Sequence, residues 1–140
     1  MSKTPEHVVH EYMDYWNAGD FKGLTSLFAD DMQWVIKGNS PQSGAFERDQ
    51  IAAVLLKLPE MDTEEPFLLH LKTLTTQDDR AAVEFTSTLK FRDGRTYEND
   101  YHFLIWVSDG KITRGHEYLC TWTAVHKGIG EDIAKLMAQR

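Results

Sequence analysis

Cysteine is nearly absent: one residue, Cys120, in a chain of 140. That excludes an intramolecular disulfide and any cysteine-based metal cluster. Long apolar runs are missing too, and none approaches the ~20 residues a bilayer-spanning helix needs. The opening Met1-Ser-Lys-Thr-Pro-Glu6 has no apolar stretch of the kind a secretory leader carries. These absences lead to the expectation of a reduced, cytoplasmic protein without membrane contact. Positive charge is scarce, with 15 Lys and Arg against 22 Asp and Glu and a formal charge of -7. No basic cluster offsets that field, which argues against nucleic acid as a partner. No repeat, linker or low-complexity tract breaks the chain. We expect a single domain over residues 1–140, long enough for one hydrophobic core.

What is present reads as helices first and strands afterwards. Thr4 suits a helix N-cap with Pro5 at the first helical position. Val9, Tyr12, Met13 and Trp16 then follow helical spacing. Gly19 suits a left-handed cap after that helix, and Asp20 the N-cap of a short second one. The second helix is expected to turn Phe21, Leu24, Leu27 and Phe28 inward, to end at Asp30-Asp31, and to be followed by a strand over 32–37. Residues 38–44 have loop composition. A third helix is expected over about 47–57, with Ile51, Val54, Leu55 and Leu58 on its apolar side and Pro59 stopping it. Four strands follow, at 67–75, 81–91, 97–107 and 111–123, the last two joined through Asp109-Gly110, a strong hairpin signal. Gly128 and Gly130 lead into a last helix over 131–139. This order implies an α+β fold with a mostly antiparallel sheet, covered by helices on one face.

The last strand is the most informative. Side chains alternate with period two, so Arg114, His116, Tyr118 and Cys120 share a face. A guanidinium, an imidazole, a phenol and a thiol make poor core, and the face reads as a pocket lining. On the strand before it, Asn99, Tyr101, Phe103 and Ile105 share one face, and Asp100, His102, Leu104 and Trp106 the other.

Several short motifs resemble ketosteroid isomerase: Thr4-Pro-Glu-His7, Tyr12, Asn17-Ala-Gly-Asp20, Leu27-Phe-Ala-Asp-Asp31, Ser43-Gly44 and Tyr101-His-Phe103. The ending, Asp109-Gly-Lys-Ile112 followed by Glu117-Tyr118, is similar to the SnoaL-like polyketide cyclases. Both groups belong to the nuclear-transport-factor-2-like superfamily. The resemblance spans roughly residues 4–123 and implies a cone: a curved antiparallel sheet around three N-terminal helices, here with an extra C-terminal helix. It also implies that Asn99, Tyr101, Phe103 and Ile105 face the cone interior, leaving Trp106 and His102 outside as a homodimer contact. Two positions depart from the family pattern. Ile36 stands where the isomerase carries its carboxylate base, so that mechanism is not supported. Cys120 stands where many SnoaL-like chains carry an acid–base aspartate, and a thiol with a pKa of ~8.5 does not replace a carboxylate. Tyr12 matches the isomerase's oxyanion-hole tyrosine, and Tyr101 falls at its aspartic acid. A one-residue slip would exchange Tyr101 for Asp100.

The expected pocket therefore comprises Tyr12, Trp34, Ile36, Asn99, Tyr101, Phe103, His116, Tyr118 and Cys120. Tyr12 or Tyr101 would stabilise an oxyanion, and His116 would move the proton. Each has a plainer reading. Tyr12, Trp34 and Ile36 suit a core, Arg114 and His116 a half-exposed pair at the cone mouth, and Cys120 a small buried hydrophobe. His116 and Cys120 stand ~13 Å apart on a strand, too far for a direct hydrogen bond. Glu117, opposite to His116 in parity, reads as structural. His7, His10 and Glu11 do not complete a zinc motif, and neither metal nor cofactor is expected. The leading expectation is a cofactor-free acid–base enzyme (isomerase, cyclase, dehydratase or hydrolase type) acting on a small hydrophobic carbonyl or hydroxyl compound. Its rival is a non-catalytic small-molecule-binding or dimeric assembly module with a degenerate site.

Overall fold

The computed structural model describes residues 3–138. The Met1-Ser2 start and the expected end of the last helix at Gln139 lie outside the described residues. Helix α1 (Pro5–Asn17) begins where its cap predicts, with the His7 N–H donating to Thr4 Oγ1 at 3.2 Å. Gly19 follows it at φ 71°, and Asp20 caps α2 (Phe21–Thr25) by accepting from the Gly23 N–H at 2.8 Å. Val8, Val9, Tyr12, Met13 and Trp16 form the buried face of α1. The chain continues through β1 (Phe28–Ile36), β2 (Gly44–Glu47), α3 (Arg48–Lys57) and a 3₁₀ turn (Leu58–Glu60). Four long strands follow: β3 (Thr63–Gln77), β4 (Arg80–Phe91), β5 (Thr96–Ser108) and β6 (Lys111–Leu119). Helices α4 (Thr121–His126) and α5 (Ile129–Ala138) end it.

The six strands form one curved, open sheet in the order β2-β1-β6-β5-β4-β3. Only β1 and β6 run parallel; the other neighbours are antiparallel. The helices fill the concave side. Asn17 pins α1 to the edge strand β3 with both ends of its amide, giving to Leu69 O and accepting from Leu69 N–H, each at 2.8 Å. Trp16 Nε1 adds a bond to Phe67 O at 2.9 Å. The core continues under β4 and β5 through Val83, Phe85, Phe103 and Ile105. A second buried cluster of Leu89, Phe91, Tyr97, Ala124 and Ile129 lies beneath the C-terminal helices.

Three local expectations fail, the first two because long-range pairing overrides local propensity. Phe28 opens β1 rather than closing α2, because it pairs with Ile112 on β6 and the Ile112 N–H bonds Leu27 O at 2.7 Å. Residues 44–47, expected outside any strand, pair as β2 with β1. The last strand stops at Leu119 and residues 121–123 enter α4.

A β-bulge has the largest consequence. Across the β5–β6 hairpin Ser108 pairs with Lys111 and Val107 with Ile112, but Trp106 then pairs with Arg114. Thr113 is the extra residue. Counted regularly from the buried Ile112, residues 114, 116 and 118 would point inward. The bulge reverses the alternation, and Gly115, Glu117 and Leu119 point inward instead.

Deleting Thr113 restores an unbroken ladder and exchanges the two faces of β6. The deletion is expected to cost roughly 3 kcal/mol or more, whereas Thr113→Ala, which keeps the bulge, should cost under about 1 kcal/mol. Urea unfolding followed by tryptophan fluorescence separates the two, and equal losses would count against the bulge as the determinant.

Candidate functional site

Between the sheet and the helices lies a cavity of about 80 Å³. That is several times what one water requires. Its walls are apolar: Trp16 from α1, Ile51, Val54 and Leu55 from α3, Phe85 and Phe103 from the sheet, and Ile129, Ile133 and Met137 from α5. The C-terminal helix thus covers the pocket. The polar side chains on the lining are Tyr12, Gln42, Tyr101 and Glu117, together with the indoles of Trp16 and Trp34.

Glu117 is the group that stands out. On β6 it pairs with Phe103 on one side and Ile36 on the other. The carboxylate therefore lies one strand across from the position where the isomerase resemblance called for a base. Its Oε1 accepts a 2.9 Å bond from Trp34 Nε1. Trp34 reaches it by lying flat over Gly115, where a Cβ would come within 2.1 Å of the indole ring. Tyr12 stacks parallel to the same indole at 6.4 Å, and Phe103 meets it edge-on at 5.0 Å. Among the described residues no cation pairs with the carboxyl. Burial pushes its pKa up to about 7, against the pull of the indole N–H toward the ionised form. Glu117 keeps some accessible surface because it borders the cavity, yet protein surrounds it.

Two phenols share this space. The Tyr12 hydroxyl makes no hydrogen bond with any described residue, and burial together with the Glu117 charge holds its pKa well above the ordinary value. Tyr101 stacks on Phe85 at 5.1 Å and its hydroxyl lies 2.7 Å from that of Tyr97. Asn99 Nδ2 donates to the Tyr97 oxygen at 2.7 Å and to Cys120 O at 3.0 Å. Either phenol can donate in the Tyr97–Tyr101 bond, because the Tyr97 oxygen keeps a second lone pair and Ser87 also lies beside the Tyr101 hydroxyl. Burial raises both phenols, Tyr97 to about 12, so both remain donors near neutral pH.

The structure thus gathers Tyr12, Trp34, Ile36, Tyr101 and Phe103 around one cavity. Asn99 lies behind the lining, orienting Tyr97. The other expected residues are corrected. His116, Tyr118 and Cys120 do not line the pocket, because the Thr113 bulge sends His116 and Tyr118 to the outer face and β6 has ended before Cys120. There His116 meets Trp106 edge-on at 4.9 Å, Arg114 lies 4.9 Å over the same ring, and Lys37 covers Tyr118 at 5.8 Å. Partial burial, then Lys37 and Arg114, lower the His116 pKa. Cys120 is exposed rather than a buried hydrophobe, and the Thr123 hydroxyl donates to its sulfur at 3.3 Å. Glu117, expected to be structural, is the residue sequence reasoning missed. One signal did point to it: an isolated glycine inside a strand, Gly115, marks a bulge or a close approach. His10 and Glu11 lie beside Glu6 (4.0 Å) and Lys3 (2.9 Å) on α1. Among the described residues no group of three His, Cys, Asp or Glu side chains gathers as a metal site would need.

Comparison with known proteins agrees with this architecture. The SnoaL-like domain matches residues 9–115. An NTF2-like protein from Burkholderia xenovorans is 28% identical, with 91% of this chain and 97% of that chain covered and a TM-score of 0.68. A putative isomerase from Bacillus subtilis is 18% identical, covering 90% and 93%, with a TM-score of 0.74. An LEH-like epoxide hydrolase from M. tuberculosis is 14% identical, covering 94% of each chain, with a TM-score of 0.71. At those identities the last two share the fold alone.

The raised Glu117 pKa predicts a pH dependence of stability. The folded state holds this proton up to about pH 7, whereas the unfolded chain releases it near 4.5. Between those values the folded chain binds more protons, so this contribution is full below pH 4.5 and is lost as pH rises through 7. Glu117→Gln should remove a loss of roughly 1–3 kcal/mol over that window, allowing for water in the cavity. Urea midpoints of both proteins at pH 5 and pH 8 check it.

Proposed function

The chain belongs to the SnoaL-like domain family, within the nuclear-transport-factor-2-like superfamily, and on that footing we propose that it is a cofactor-free acid–base enzyme acting on a small hydrophobic carbonyl or hydroxyl compound. The observation that carries the reading is Glu117: a carboxyl titrating near neutrality inside an apolar cavity, which can both take and return a proton there. In the ionised form it removes a proton from carbon beside a carbonyl. Negative charge then develops on the carbonyl oxygen, and the hydroxyl of Tyr12 or Tyr101 donates a hydrogen bond to it. Returning the proton at another carbon gives isomerisation, and expelling a β-hydroxyl as water gives dehydration. The same fold occurs in proteins described as a putative isomerase and an LEH-like epoxide hydrolase, which is compatible with this chemistry but does not carry it. His116 has no part in the step.

A panel of enones, hydroxy-ketones and epoxides, incubated in D₂O and followed by proton NMR, tests the proposal. Turnover or deuterium uptake beside a carbonyl is expected for one class and should fall about 10²–10⁴-fold in Glu117→Gln. The rate should rise with pH through a limb near 7 when Glu117 acts as base, and His116→Ala should keep it. Undiminished rates in Glu117→Gln would remove the assignment. Tight binding without conversion or exchange would favour the binding-module alternative.

We also place a homodimer contact on the outer sheet face, where Trp106, Arg114, His116, His102 and Tyr118 form a band of aromatic and cationic side chains. Native mass spectrometry is expected to show a dimer that Trp106→Glu converts to monomer. A monomeric wild type would overturn that contact.

A further inference from the structure

One polar group of the cavity has no part in the proton transfer. Gln42 lies on the loop between β1 and β2, only 4% exposed, with its Oε1 buried and unpaired. The amide makes no hydrogen bond with any described residue, and it borders the cavity. Buried polar groups are otherwise satisfied in folded proteins, and an orphan calls for a reason. Its loop is well fixed. Ser43 Oγ donates to Lys37 O and accepts from the Ser40 N–H, both at 3.0 Å. Gly130, in the first turn of α5, packs on the amide so closely that a Cβ there would sit 2.5 Å from Oε1 and 3.3 Å from Pro41 Cδ. The amide is therefore held rigidly at the cavity wall rather than free to swing to solvent. The other buried side-chain atom without a hydrogen-bond partner among the described residues, Ser87 Oγ, lies by the Tyr101 hydroxyl and belongs to no part of the lining.

We propose that Gln42 is a specificity-determining residue that reads a hydroxyl group on the substrate. A hydroxyl both gives and accepts a hydrogen bond, and a primary amide offers the complementary acceptor and donor. The substrate class narrows to an apolar, ring-sized carbonyl compound that also carries a hydroxyl. The loop leaves β1 at Lys37, whose N–H bonds the Glu117 carbonyl at 2.9 Å, so both polar side chains reach the cavity from adjoining backbone. A site built to bond a hydroxyl discriminates strongly against the analogue without it, because its own polar group is then stranded. This inference rests on the acid–base reading for the carbonyl half of the ligand and adds the hydroxyl half.

The test measures binding, not turnover, and is decided whether or not Glu117 proves catalytic. The probes are 4-hydroxyacetophenone against acetophenone and 6-hydroxy-1-tetralone against 1-tetralone, titrated against the full chain by tryptophan fluorescence. Wild type is expected to prefer a hydroxylated member by about tenfold, and Gln42→Leu to bring the ratio close to one. The melting temperature of unliganded Gln42→Leu should stay level or rise, since an unpaired buried amide is removed. A ratio unchanged in Gln42→Leu overturns the proposal, as does the absence of any preference in wild type. A lowered melting temperature with the ratio intact would assign Gln42 to supporting α5. Loss of the preference in Glu117→Gln but not in Gln42→Leu would assign hydroxyl reading to the carboxylate.

Discussion

The placement of every chemical group on the last strand depends on one extra residue. Thr113 interrupts the β5–β6 ladder, and beyond it each side chain of β6 faces the side opposite to the one that regular alternation from Ile112 dictates. Glu117 is inside because of it, and Arg114, His116 and Tyr118 are outside. The arrangement is then locked from the next strand. Gly115, now inward, leaves room for the Trp34 ring against the backbone, and the ring delivers its N–H to Glu117 at 2.9 Å. A side chain larger than hydrogen at 115 would lift the ring and break that bond. Bulge, glycine, indole and carboxylate form a chain in which each member needs the one before.

The electrostatics follow from where that chain ends. The protein carries a net charge of -7, and among the described residues no Lys or Arg lines the cavity: Arg114 lies on Trp106, Lys37 on Tyr118 and Arg95 on Phe91. A carboxylate in apolar surroundings without a cation meets the cost of lost hydration by holding its proton to a higher pH. Tyr12 and Tyr101 respond to the same surroundings in the same direction. Near pH 7 the cavity then contains one acid close to half-ionised and two phenols fully protonated. Those are the protonation states that proton transfer beside a developing oxyanion requires.

How much was legible in the sequence follows from the range over which each feature is decided. The caps at Thr4 and Asp20, the Pro59 stop and the Asp109-Gly110 hairpin are settled by neighbouring residues, and the structure has them where expected. The inward face of Tyr101 and Phe103 on β5, implied by the isomerase resemblance with a one-residue slip to Asp100 left open, holds because that strand alternates without interruption. Phe28 and β2 depend on partners far along the chain, and there local propensity misleads. His116 was misplaced for a different reason. Period two was right along each half of β6, but the phase between the halves is set by a bulge, and threonine is an ordinary strand residue that marks nothing. Only Gly115 betrayed the irregularity, and its meaning required knowing that Trp34 lies opposite.

The family match ends at residue 115, two residues short of Glu117 and before both C-terminal helices. The segment after residue 115 supplies the acid and part of the cover over it. Helix α5 contributes Ile129, Ile133 and Met137 to the lining, and Arg95 ties it down through Lys127 O at 2.8 Å and Asp132 at 3.2 Å while resting on Phe91. That cover and the strength of the acid are one property. With α5 seated, the carboxyl is screened from solvent and its pKa stays near neutrality. Water admitted past the helix would hydrate the carboxylate and draw the pKa back toward the ordinary range. The same helix packs Gly130 against Gln42, so the surface that covers the cavity also holds an amide that has no partner among the described residues. A ligand that fills the space replaces that water with apolar contact, and a hydroxyl on it answers the amide.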